Sequence, residues 1–328
     1  MWTPQSSPNV KERLTRAIHS LHGLSCGDAF GERFFLHPKV AQALIAQRAV
    51  PSPPWRYTDD TAMAIAIAEI LEEHGEIRQE SLAESFGRNF LADPHRGYGA
   101  AMHTLLPELA SAPSAWKKMA PALFKGGGSF GNGAAMRVAP LGAYFADDIA
   151  KLTKQAERSA VVTHSHPEGV AGAIAVALAA GLACRYSDSR TGSREFLNEI
   201  CDRVPDSKVR RGIVTALALP SNATVESAVA ALGNGSGVSA QDTVPFALWA
   251  AASHLDNYED ALWTTVSGLG DRDTACAIVG GIVAMSSGVG GIPPAWMQAR
   301  EPILAWFLYP TPAHARPQLA PHPLLLPQ

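Results

Sequence analysis

Two short acidic motifs open apolar segments of this chain and combine residue types that bind hard metal ions. The first is TDDT, residues 58–61, and the second is DRDT, residues 271–274. In each motif, aspartates and threonine precede a run rich in alanine and isoleucine. Asp and Thr are also preferred helix N-caps, and acids are favourable in a first helical turn. For either motif alone, helix capping is the simpler interpretation.

The two motifs taken together favour a metal site. A cap needs one side-chain oxygen, whereas each motif has two carboxylates and at least one threonine hydroxyl. If the two helix starts meet, four carboxylates converge with Arg272 as the only nearby cation, and such a density of negative charge needs a counterion. Oxygen ligands suit Mg²⁺, Mn²⁺ or Ca²⁺ rather than Zn²⁺. A pair of divalent ions can share a site of this kind.

Three further motifs could contact a ligand. In KGGGSFGNGAAMRVAPLG, residues 125–142, glycines let the backbone approach a ligand and the following helix start favours anions, although an ordinary turn is the alternative. In THSHPEG, residues 163–169, the histidines are candidate metal ligands, ligand donors or caps, and we favour His164 as a ligand contact. In GDAFGERFF, residues 27–35, Asp28 and Glu32 are each compatible with a cap, an acid behind the site or a site residue.

The spacing of apolar residues predicts an all-α protein. The expected fold class is a compact single-domain orthogonal helical array with buried Ala/Gly-rich helices, spanning residues 1–309 and followed by a Pro-rich C-terminal tail, residues 310–328. The alternation in AMAIAIAEI is typical of a strand, but the length of the run and its Glu-rich end favour a helix. Helices are predicted at 9–30, 58–75, 79–91, 97–111, 133–144, 147–162, 167–186, 190–203, 205–217, 224–232, 240–254, 258–267, 272–287 and 294–305.

Composition excludes several classes of protein. The chain has 328 residues, 47% of them apolar and 17% charged, with a net charge of −3 and no basic block, which argues against nucleic-acid and membrane-surface binding. The four cysteines are scattered, which favours a reducing compartment. The most apolar run, residues 169–184, is short for a bilayer, and no signal-peptide pattern opens the sequence. We therefore expect a cytoplasmic monomer.

The motifs, taken in order, resemble those of the ADP-ribosylglycohydrolase family. GDAFGE, TDDT, GSFGNGAAMR, THSHP and GDRDT carry the resemblance, which extends from about residue 15 to about residue 296. It implies an all-α fold, two Mg²⁺ or Mn²⁺ ions, and cleavage of ADP-ribose from a modified protein or small-molecule acceptor. Arginine, serine, a nucleic-acid base and free ADP-ribosyl compounds all remain candidate acceptors.

The resemblance also implies roles for individual residues. A water attacks C1″ of the ribose, and Asp59 or Asp60 takes its proton. Many relatives have an acid at the position that Phe35 occupies in this chain. Glu32, which lies three positions earlier, is a candidate to replace that acid in catalysis. The implied metal ligands are Thr58, Asp59, Asp60, Asp271, Asp273 and Thr274. The implied substrate contacts are Ser129, Phe130, Gly131, Asn132 and Gly133, which cradle the diphosphate and distal ribose, and His164.

Two departures from the family pattern keep other functions open. Phe35 replaces the family acid, and Arg272 stands where relatives commonly have an uncharged residue. A relative that binds ADP-ribose without catalysis is one alternative, and a dimetal hydrolase of another small phosphorylated nucleoside is another.

Overall fold

Helices form the regular structure of this chain. The computed structural model describes residues 10–186 and 192–303. Within these ranges there is no β-sheet, and the predicted all-α fold is confirmed. The helices are α1 (Val10–Glu32), α2 (Pro38–Ala46), α3 (Asp59–His74), α4 (Gln79–Ala92), α5 (Met102–Ser111), α6 (Trp116–Gly126), α7 (Ala139–Tyr144), α8 (Ile149–Val161), α9 (Pro167–Tyr186), α10 (Ser193–Cys201), α11 (Lys208–Ala218), α12 (Val225–Leu232), α13 (Ala240–Ser253), α14 (Tyr258–Ser267), α15 (Arg272–Ser287) and α16 (Pro294–Ala299), with short 3₁₀ turns at Pro113–Ala115, Asn132–Ala134 and Val289–Gly291.

Two helices lie where none was predicted. Helix α2 occupies a stretch expected to be broken by prolines, but Pro38 takes its first position, where no backbone N–H is needed. Helix α6 contains Pro121 and ends in non-helical residues just before a Gly-rich stretch. In both cases proline and glycine obscure the helical pattern in the sequence.

Three predicted helices are shorter than expected. The helix predicted at 97–111 begins at Met102, since Gly97 has a φ of 92°. The one predicted at 133–144 starts at Ala139, after the 3₁₀ turn Asn132–Ala134. The one predicted at 294–305 ends at Ala299, because the backbone is extended at Arg300, shortly before Pro302. The boundary predicted at residue 309 and the Pro-rich tail lie outside the described residues.

Helices α1 and α15 pack backbone against backbone because glycines line one face of α1. Gly23, Gly27 and Gly31 are spaced by four residues and therefore share that face. A Cβ atom at Gly27 would lie 2.1 Å from the Cys276 carbonyl oxygen, and one at Gly31 would lie 2.3 Å from that of Arg272. This close approach brings the end of α1, with the buried Asp28, beside the start of α15.

The helices α3, α9 and α15 are buried along most of their length. This explains the alternating pattern AMAIAIAEI in α3, because a helix surrounded by protein needs no polar face. Among the described residues, α9 is the one helix long and apolar enough to cross a membrane, but 78% of its most apolar window is buried within the fold. These helices form a rigid core on which the acidic helix starts are mounted.

Candidate active site

A buried carboxylate of α1 holds the N-terminus of α3. Thr58 is the N-cap of α3, and its hydroxyl oxygen accepts a hydrogen bond from the Asp60 amide at 3.3 Å. Asp28, which has no solvent exposure, accepts hydrogen bonds from the amide and hydroxyl of Thr58, both at 2.9 Å. It also accepts from the amide and hydroxyl of Thr61. Capping is therefore done by Thr58 and Asp28, and not by the carboxylates of Asp59 and Asp60.

The acids at the start of α15 are not typical caps either. Asp271 is the N-cap residue, but its side chain accepts no hydrogen bond from the first turn. Instead, its Oδ2 accepts a hydrogen bond from the side-chain nitrogen Nδ2 of Asn132 at 2.7 Å. The Asp273 carboxylate accepts from the backbone amide of Thr274 at 2.8 Å. The capping interpretation of DRDT thus fails for Asp271.

The two helix starts meet, as the paired motifs require. The Thr274 hydroxyl donates to Oδ2 of Asp60 at 3.5 Å, across 214 positions of sequence. Asp59, Asp60, Asp271 and Asp273 all line one pocket with a cavity volume of about 490 Å³. Four carboxylates from opposite halves of the chain therefore face a single cavity.

Burial and mutual repulsion raise the pKa values of three carboxyl groups at the two helix starts, those of Asp59, Asp60 and Asp273. Burial is the main cause for Asp59, whose pKa is about 8, and the charge of Asp28 adds to the effect. Burial, reinforced by neighbouring carboxylates, raises the pKa values of Asp60 and Asp273 well above the ordinary range. Burial also raises the pKa of Asp28 to about 6. Each raised pKa favours the protonated, neutral form of that carboxyl group.

One oxygen of the acidic cluster is free to ligate a divalent cation. Oδ1 of Asp60 is buried and has no hydrogen-bond partner, so a lone pair of a hard oxygen is unused. Within residues 10–186 and 192–303, the side chains as they stand form no group of three or more His, Cys, Asp and Glu that is arranged to hold a metal ion. Like charges without a counterion repel one another, and a cation would remove that repulsion.

The Gly-rich loop forms the wall beside the carboxylates. The Asn132 amide nitrogen also donates to the Thr243 hydroxyl at 3.0 Å, so one side chain ties the loop to α13 and to the start of α15. The Gly131 amide donates to the Ser129 hydroxyl at 3.2 Å. The residues of this loop that line the pocket are Ser129, Phe130, Gly131, Asn132 and Gly133.

The two histidines of THSHP have different positions. His164 is buried and lines the pocket. His166 lies against the Phe130 ring, with 5.5 Å between ring centroids, and its Nδ1 accepts a hydrogen bond from the Glu168 amide at the start of α9. His164 thus faces the cavity, whereas His166 caps a helix.

Exposed apolar side chains form a rim around the pocket, and of Phe124, Phe130 and Val238 only Phe130 was indicated by the motifs. Phe124 and Phe130 are 60% and 41% exposed, and their ring centroids are 6.0 Å apart. Val238 is also exposed and lines the pocket. Phe124 and Val238 have φ values of 51° and 49°, which are strained for bulky residues, and such strain concentrates at ligand sites. Sequence alone carries no signal for this backbone conformation.

Glu32 and the two departures from the family pattern lie outside the cavity wall. Glu32, at the end of α1, is exposed and does not line the pocket, although the charge of Asp28 acts on it. Phe35 is 46% exposed, and the Arg272 guanidinium lies 5.0 Å from the centre of its ring. The two unusual residues therefore contact each other.

Comparison with known proteins agrees with this architecture. The sequence model of the ADP-ribosylglycohydrolase family matches residues 9–313. The human protein named ADP-ribosylhydrolase ARH3 is 28% identical, over 88% of this chain and 90% of its own length. Its chicken counterpart is 30% identical over 75% and 74%, and an uncharacterized protein of Archaeoglobus fulgidus is 33% identical over 74% of each chain. A solved structure titled ADP-ribosylglycohydrolase-related protein complex shares the fold, with a TM-score of 0.59, 22% identity, and coverage of 88% of this chain and 93% of that one.

Proposed function

This chain belongs to the ADP-ribosylglycohydrolase family, hydrolases that act on glycosyl bonds, and we propose that it removes ADP-ribose from a modified acceptor. The observation that carries the proposal is the convergence of four carboxylates and the Gly-rich loop on one cavity. The relatives named ADP-ribosylhydrolase support the choice of ADP-ribose as the group removed.

The pocket has one region suited to each part of ADP-ribose. The exposed rings of Phe124 and Phe130 offer apolar surface on which an adenine base can stack. The backbone of residues 129–133 can approach the diphosphate closely, and His164 lies beside it. The carboxylates at the other wall would then receive the ribose whose C1″ carries the acceptor.

We propose that two Mg²⁺ or Mn²⁺ ions bind at the carboxylates. The side chains that would hold them are Thr58, Asp59, Asp60, Asp271, Asp273 and Thr274. When bound, divalent cations acidify coordinated water and attract the vicinal hydroxyls of a ribose. Thr58 is buried beneath the cavity and hydrogen-bonded to Asp28, whereas Thr274 lines the cavity itself.

The residues of the chain then have defined tasks. A water attacks C1″ and gives its proton to Asp59 or Asp60, while the bond from C1″ to the acceptor breaks through a transition state of oxocarbenium character. The departing acceptor then takes up that proton. Glu32 remains a predicted catalytic residue.

One observation favours a second candidate function, binding of ADP-ribose without catalysis. The position of the family acid is occupied by Phe35, and the exposed Glu32 does not line the pocket. Such a protein would bind free ADP-ribose and release nothing from modified acceptors.

The test of the proposed function is an acceptor panel. ADP-ribosylated arginine, serine, nucleic-acid base and free ADP-ribosyl compounds are incubated with the EDTA-treated protein, with and without added Mg²⁺ or Mn²⁺, and released ADP-ribose is measured. We expect release from at least one acceptor, strictly dependent on added metal. Full activity after EDTA treatment would contradict the metal requirement. Binding without any release would select the binding-only function, and cleavage of a different nucleotide would select the other hydrolase.

The aromatic rim provides a prediction about affinity. Phe130→Ala should weaken ADP-ribose binding about tenfold, because stacking of a base on an aromatic ring contributes roughly 1 to 3 kcal/mol. Phe35→Ala is the matched control, since Phe35 has a similar exposure but does not line the pocket. Isothermal titration calorimetry measures both variants. Equal affinities for wild type and Phe130→Ala would place the base elsewhere.

We further propose that the protein is cytoplasmic and acts as a monomer, without a membrane or nucleic-acid partner. The cysteines Cys26, Cys201 and Cys276 are buried as free thiols, which is compatible with a reducing compartment. The net charge of −3 disfavours binding to nucleic acid.

A further inference from the structure

A fully buried arginine lies behind the Gly-rich loop. Arg137 has no solvent exposure, and burial lowers its pKa to about 9 in spite of the negative charge of Asp59. Its Nη2 donates to the Ser159 carbonyl oxygen at 3.1 Å and to the Thr163 hydroxyl at 2.9 Å, and its guanidinium lies 4.3 Å from the centre of the Phe86 ring. Because complete burial of a cation is unfavourable, this arrangement points to a specific role.

The hydrogen bonds of Thr163 determine which nitrogen of His164 carries a proton. A guanidinium only donates hydrogen bonds, so the Thr163 hydroxyl must accept from Arg137. The same hydroxyl lies 2.7 Å from Nδ1 of His164, and the hydrogen bonds of the described residues offer its single proton no other acceptor. Nδ1 is then the acceptor, and in a neutral imidazole the proton must be on Nε2.

The protonated nitrogen is on the side of the ring that faces the loop. A Cβ atom at Gly131 or Gly133 would lie 3.3 or 2.9 Å from Nε2, so the absence of these side chains leaves space for the ring edge. His164 is also one of the residues that line the pocket. The Nε2–H group is therefore placed beside the backbone that would cradle a ligand.

We propose that Arg137 and Thr163 are positioning residues that hold His164 as the Nε2–H tautomer, so that His164 donates a hydrogen bond to a phosphate or ribose oxygen of the ligand. The identity of that ligand rests on the proposed function, whereas the tautomer does not. Burial, together with the positive charge of Arg137, lowers the pKa of His164 to about 3 and so keeps the ring neutral. A neutral ring has one donor, and Thr163 decides where it points.

The first test is nitrogen NMR of the ligand-free full-length protein. The ¹⁵N shifts of the imidazole distinguish protonated from unprotonated nitrogen, and His164→Gln identifies the signals. We expect wild type to show Nε2–H alone, Thr163→Ser to keep this tautomer, and Thr163→Val to show a mixture. A predominant Nδ1–H tautomer in wild type would overturn the proposal.

The second test is binding of ADP-ribose by calorimetry. Thr163→Val should weaken binding about tenfold, the loss expected when a hydrogen bond to a charged group is misdirected, and Thr163→Ser should restore it. Thr265→Val is the matched control, because Thr265 is equally buried and its hydroxyl bonds only the carbonyl of Ala261 within α14. Wild-type affinity in Thr163→Val would refute the positioning role. If wild type itself does not bind ADP-ribose, the proposed function fails while the NMR result still decides the tautomer.

Discussion

Asp60→Asn is expected to lower kcat/KM by at least about 10³-fold while leaving the metal-free protein no less stable than wild type. Asp60 is almost completely buried, and its Oδ2 accepts a hydrogen bond from the Thr274 hydroxyl while Oδ1 has no partner. The neutral amide that replaces this carboxylate cannot serve as an anionic ligand or as a proton acceptor. A loss of about 10³-fold in kcat/KM corresponds to about 4 kcal/mol of lost transition-state stabilisation. The same change removes one of several mutually repelling carboxylates.

The measurement pairs steady-state kinetics with urea unfolding of the metal-free protein at pH 8. Asp147→Asn is the matched control, because Asp147 lies far from the pocket and forms ion pairs with Arg13 and with Arg16, the latter at 2.6 Å. It should lower stability slightly, by up to about 1 kcal/mol, and retain activity. We therefore expect Asp60→Asn to lose activity without losing stability, and Asp147→Asn to lose some stability without losing activity. An active Asp60→Asn protein would remove this residue from the catalytic centre.

Stabilisation of the fold by Mn²⁺ is expected to increase as the pH rises from 6.5 to 8.5. The pKa of Asp59 is about 8 in the folded chain, above the ordinary value of 3.8, so the folded state favours the protonated form. In the metal-free protein, protonated Asp59 makes its full contribution to the free energy of unfolding below about pH 4, and this contribution is lost as the pH rises towards 8. Because Mn²⁺ must displace these protons, its apparent affinity should increase by about tenfold per pH unit for each proton released.

Thermal unfolding at several Mn²⁺ concentrations across this pH range measures the effect. Asp59→Asn should flatten the dependence. Two histidines, the half-buried His22 and the buried His164, act in the opposite direction. Their pKa values are lowered to about 4 and about 3, so the stability they contribute is lost as the pH falls below 6.5. Starting at pH 6.5 keeps the two effects apart. A Mn²⁺ effect that is the same at pH 6.5 and 8.5 would contradict proton displacement from the carboxylates.

The sequence by itself was sufficient for the fold class and for the residue types of the site. Helix periodicity, the Asp/Thr starts of α3 and α15, and the Gly-rich loop are local patterns, and each depends on neighbours a few positions away. The errors in the helix predictions fall at Pro38, Pro121 and Gly97, where the local signal is ambiguous.

Only the tertiary structure decided which of these groups meet. Asp60 and Thr274 are 214 positions apart, and their contact depends on the packing of α1 against α15 and α3. The same packing assigns Asp28 to hold a helix end, leaves Glu32 exposed, and places Phe124 and Val238 on the rim. It also surrounds Arg137 with the groups that orient His164. The charge states of the carboxylates and the hydrogen-bond direction at His164 depend on burial and on distances between remote segments. The spacing of residues along the sequence specifies neither the burial nor these distances.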